Sequence, residues 1–85
     1  MTDAPHDTTK DASAATAALG PSTASHHALA AHSASEAGDH AGASTHHAAA
    51  RQEHYKAWMN GGAEGHNSAS RLHGVASVAH KLATP

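Results

Sequence analysis

Eleven of the 85 residues are histidine and none is cysteine. Imidazole ligates transition metals and also changes charge close to neutral pH. Without thiolates, the ions that suit such a ligand set are nickel, copper(II) and zinc. On a helix, ligands for one ion belong three or four residues apart, because those positions share a face. No two histidines stand at either spacing. The nearest approach is His32, Glu36 and His40, spaced four and four, with Gly38 inside the span. The dipeptides His26-His27 and His46-His47 add rings for a loose multi-histidine complex. The candidate metal residues are therefore His26, His27, His32, Glu36, His40, His46 and His47, and the expected ions are Ni, Zn or Cu.

A slower rhythm runs beneath these clusters. His40, His47 and His54 are seven apart, with His26 in the same register, and His66, His73 and His80 form a second series. Seven residues of helix advance about 10.5 Å. That aligns the rings on one face but separates them too widely for one ion, whose bonds to nitrogen are about 2.0–2.1 Å. Such a row reads as a solvated face, able to share metal only across two helices or two chains.

Catalysis fits poorly. Serines and histidines abound, but no Gly-x-Ser-x-Gly elbow is present. The glycine-rich stretch Gly61-Gly62-Ala63-Glu64-Gly65 lacks the Lys-Ser/Thr of a phosphate loop and reads as a hinge. The expectation is a protein that is not an enzyme.

A different chemistry, partner docking, attaches to the few large apolar residues. Tyr55, Trp58 and Met59 group near the end of one helical segment. Trp, Tyr and Met are interface-enriched types. Leu72, Val75, Ala79 and Leu82 follow the spacing of an amphipathic stripe, with Arg71, His73, Ser77, His80 and Lys81 off it. These seven residues are the candidate docking set, for a larger partner or for self-association through the C-terminal helix.

The elements that must carry these residues are short. Alanine supplies most of the 39% hydrophobic content, and there is no Phe. Counting Leu, Val, Met, Trp and Tyr as the core leaves burial far short of the cost of ordering the chain, roughly 1–2 kcal/mol per residue. The composition therefore predicts a chain that is mostly disordered to all-α. It has a flexible tail over 1–24 and a helix-prone region over 25–85, with two or three short Ala-rich helices at about 25–37, 45–59 and 68–82. Ser22 or Ser25 is a fair N-cap for the first, and Asn60-Gly61-Gly62 is a strong stop for the second. Ser25-His26-His27-Ala28 is echoed by Thr45-His46-His47-Ala48, which reads as low complexity rather than duplication.

The net charge of −2 becomes +9 when eleven histidines gain protons. No basic patch favours nucleic acid at neutral pH. The N-terminal residues carry no secretory pattern and no run is long enough to span a bilayer, so the expected location is cytoplasmic. Two functions follow as expectations. The first is a small non-enzymatic protein that loosely binds or buffers Ni, Zn or Cu. The second is a helical interaction or assembly module with incidental histidines.

Overall fold

The computed structural model describes residues 4–84. Four helices follow in order: α1 (Ala4–Ala18), α2 (Thr23–Glu36), α3 (His40–Met59) and α4 (Gly65–Ala83). The expectation of a mostly disordered chain with little independent core is overturned. The radius of gyration is 11.7 Å, against about 12 Å for a folded chain of this length and about 29 Å for an unfolded one. The tail expected over 1–24 is helical from Ala4, and residues 1–3 of it lie outside the described residues.

Local chemistry explains the boundaries. Alanine is the best helix former and lies in every element. Ser25 Oγ accepts from the backbone N–H of Ser22 at 3.0 Å, which fixes Ser22 as the N-cap of α2. Asp39 caps α3 by accepting from Gly42 N–H at 2.9 Å, so α3 starts at His40 rather than at about 45. Each of the first three helices is followed by a glycine with positive φ: Gly20 (80°), Gly38 (77°) and Gly61 (86°). These turns need the left-handed conformation that glycine adopts without strain.

Successive helices run antiparallel in an up-down-up-down bundle. The hydrogen-bonded pairs His40–His80, His47–His73 and His54–His66 step seven forward along α3 and seven back along α4. Thr9 meets His47 and Thr16 meets His54, so α1 and α3 run parallel. Each helix packs on the next, and α1 closes the ring against α4.

The interior explains why counting large apolar residues underestimated the core. Among the described residues the buried apolar ones are all alanines: Ala12, Ala24, Ala28, Ala31, Ala43, Ala50, Ala69 and Ala76. Small side chains let helix backbones approach closely, so dispersion contacts replace the area that leucines would bury. Buried alanines (Ala12, Ala50, Ala76) alternate along their helices with two polar groups, Thr9, His47, His80 and Thr16, His54, His73, which meet through His47 and His73.

The large apolar residues point outwards. Leu82 is 81% exposed, Leu29 70%, Met59 62% and Val75 56%. On α4 the face turned inwards is Ala69, His73, Ala76 and His80, not the Leu/Val stripe. No helix among the described residues is long and apolar enough to cross a membrane.

Candidate functional site: a buried histidine–threonine ladder

The largest fully buried side chains are His47, His54, His73 and His80, followed by Thr9. Burying a neutral imidazole is tolerable only when both ring nitrogens find partners. Here they do. His80 Nε2 and His47 Nε2 meet Thr9 Oγ1 at 2.7 and 2.8 Å. His73 Nε2 and His54 Nε2 meet Thr16 Oγ1 at 2.7 and 3.0 Å. The Nδ1 atoms pair across α3 and α4: His40 with His80 at 2.9 Å, His47 with His73 at 2.8 Å, His54 with His66 at 3.0 Å.

These contacts join end to end. The order is His40, His80, Thr9, His47, His73, Thr16, His54, His66, an unbroken hydrogen-bonded chain along the bundle. Rings also stack, His47 on His80 at 5.7 Å and 17°, His54 on His73 at 5.3 Å and 18°. The two ends, His40 and His66, are half-buried. His40 opens onto a cleft shared with Pro5, His6 and Leu82.

Proton bookkeeping is strict. A neutral imidazole offers one donor and one acceptor, and a threonine hydroxyl offers one donor. Every Nδ1 pair therefore needs one protonated and one bare nitrogen. Thr9 donates to one ring and accepts from the other. Thr16 has a second choice, because its hydroxyl also reaches the Ala12 carbonyl at 3.0 Å. With all rings neutral, every contact is satisfied. One added proton is also accommodated, because all donors can point away from it. A second added proton needs donors to converge between the two cations, and Thr16 with Ala12 is the one node built for that.

The electrostatics oppose charging. Burial pushes His47 down to about 4, with His80 and His46 adding repulsion. Burial pushes His73 down to about 3, with His47 and His54 adding to it. His54 is lowered by burial and by His66. His80 is lowered by burial, by His40 and by His6, with the Pro5 carbonyl pulling the other way. From α2 the inward residues are Ala24, Ala28, Ala31 and Ser35. Among the described residues no Asp, Glu, Lys or Arg is buried, so no carboxylate stands ready to stabilise a cation.

The residues expected to ligate metal are dispersed. His32 pairs with Glu36 at 2.9 Å on the surface of α2. His40 faces His80 instead of joining them. His26 lies against His27, and His27 lies 6.1 Å from His46, ring to ring. His47 is in the core. Among the described residues no group of three or more His, Asp or Glu converges on a point that could hold an ion.

The expected docking residues lie towards solvent. Tyr55, Met59, Val75 and Leu82 are exposed; Trp58, Leu72 and Ala79 are half-buried. Trp58 Nε1 donates to Glu64 at 3.3 Å.

Six ladder residues were not singled out as a site from the sequence: Thr9, Thr16, His54, His66, His73 and His80. The signal for the four histidines is the seven-residue rhythm, which as a pattern fits a solvated face and in the fold is the buried one. Nothing local marked the threonines. No protein-family model, curated protein or solved structure matches the chain.

Proposed function

We propose that this protein is a non-enzymatic, acid-responsive helical module. It is closed at neutral pH around a neutral histidine–threonine core and opens when that core must take on several protons. The observation that carries the reading is four completely buried histidines in one hydrogen-bonded chain with no buried anion beside them. An unfolded histidine titrates near 6.5, whereas these rings resist charging in the fold. Acid therefore favours the open chain, which approaches a charge of +9 as its eleven histidines gain protons. Protonation of histidine clusters is a general trigger for such transitions.

The test is denaturant unfolding followed by circular dichroism at pH 7.5 and pH 5.0, for the parent and for His47→Leu/His73→Leu. The parent loses stability in acid, and the double variant, which keeps a ring-sized apolar group at each site, loses less. Equal unfolding free energies for the parent at both pH values sink the reading.

A second reading rests on the outward apolar residues of α4, Val75, Val78 and Leu82. In it the bundle is an assembly module that covers this face with a protein partner. Mass measurement of the chain in solution, with Val75→Lys/Leu82→Lys as the control, tests it; a monomer unchanged by the substitution counts against self-association.

A further inference from the structure

The ladder has a property that acid opening does not use. Seven contacts of 2.7–3.0 Å link eight side chains, both nitrogens of each interior ring are engaged, and both ends are half-buried histidines. We infer that the closed bundle is a proton relay, which moves a proton between its His40 end and its His66 end through the Thr9 and Thr16 hydroxyls.

The transfer balances atom by atom. A proton binds Nε2 of His40, and its Nδ1 proton passes to Nδ1 of His80. His80 releases its Nε2 proton to Thr9 Oγ1, and Thr9 gives its own hydroxyl proton to Nε2 of His47. His47 Nδ1 hands on to Nδ1 of His73, and His73 Nε2 to Thr16 Oγ1. Thr16 passes its hydroxyl proton to Nε2 of His54, His54 Nδ1 to Nδ1 of His66, and His66 loses its Nε2 proton to solvent. One proton enters and one leaves. Every ring ends neutral with its tautomer inverted, so the chain must be reset before it carries a second proton in the same direction. Thr16 is the gate. While its hydroxyl points to the Ala12 carbonyl, it accepts from both neighbouring rings and the path is interrupted. When it rotates to His54, the path is continuous.

The relay acts in the closed state at neutral pH, so its failure is separable from failure of acid opening. The experiment is nuclear magnetic resonance at pH 7.5 on protein with nitrogen-15 in its imidazoles. It measures exchange with water of the ring N–H protons of His47 and His73 beside the backbone amides of Ala50 and Ala76. Relay exchange reaches the rings without opening the bundle. The ring protons then exchange on the order of a hundredfold or more faster than the amides, which must wait for opening. Thr9→Val/Thr16→Val isolates the His47–His73 pair and slows its exchange to the amide rate, whereas Thr9→Ser/Thr16→Ser, which keeps both hydroxyls, leaves it fast. Ring exchange no faster than amide exchange in the parent overturns the relay, and that comparison needs no variant to fold. Unchanged ring exchange in a folded valine variant overturns it equally.

Discussion

The two hairpins of this bundle are built from similar residues and differ in how completely they satisfy them. In α3–α4, three imidazole pairs bridge the helices and every interior ring nitrogen has a partner. In α1–α2, the corresponding bridge among the described residues is one side-chain hydrogen bond, His6 Nδ1 to Ser35 Oγ at 3.1 Å. All four buried side-chain atoms without a partner among the described residues, on Ser13, Ser22, His27 and His32, belong to this half. A cleft lined by Ser13, Ala17, Pro21, Leu29 and His32 also separates α1 from α2. Histidine type therefore does not determine what a histidine does here. Across α3–α4 it is a structural donor and acceptor whose charging burial opposes, and on α2 it is an exposed or half-buried side chain whose neighbours, His46 for His27 and His6 and Glu36 for His32, do not join it to a chain.

Acid should break this contrast with the largest effect. His47 falls to about 4 and His73 to about 3 in the fold, while the unfolded rings stay near 6.5. Between those values the unfolded chain binds more protons, so stability rises with pH. The contribution is whole above about 6.5 and is lost as pH falls towards the folded values. At pH 5.0 each ring costs about 2 kcal/mol, so the two together remove roughly 4 kcal/mol, with His54 and His80 acting in the same direction. The check is the unfolding free energy across pH 4.5–8.

Thr9→Val comes next. It preserves shape and removes the hydroxyl shared by His47 and His80, leaving buried ring nitrogens unpaired at about 1–3 kcal/mol. Urea unfolding at pH 7.5 measures the loss, and Thr9→Ser recovers part of it. Asp39→Ala, which uncaps α3, costs about 0.5–2 kcal/mol and shows as faster amide exchange confined to the first turn of that helix. The smallest effect belongs to the α2 surface. His32→Ala removes an exposed pair with Glu36 and changes stability by less than about 0.5 kcal/mol, measured in the same urea titration.

Much of the helical content was legible locally. Alanine density, Ser22, Asn60 and the turn glycines bound α2 and α3 to within a few residues of their expected spans, except that Asp39 starts α3 early. The first helix was missed because its Thr/Ser/Asp composition lacks an apolar stripe. It folds because Thr9 and Thr16 complete hydrogen bonds that α3 and α4 leave open. The core is not legible in the sequence because large apolar residues ordinarily mark one, and here most of them lie outside.

The sequence by itself determined that, wherever helix forms, His40, His47, His54 and His66, His73, His80 each line one helix face. The seven-residue period is a property of one helix and needs no neighbour. Only the tertiary structure decided that these faces turn inwards. On α1 to α3 alanine lies on every side and hydropathy hardly distinguishes one face from another, and on α4 it favours the Leu/Val stripe that the fold leaves outside. The choice falls to the hydrogen bonds that four helices can complete together, and a ring nitrogen on α4 is satisfied only when Thr9 or Thr16 of α1 and a histidine of α3 arrive at the same level.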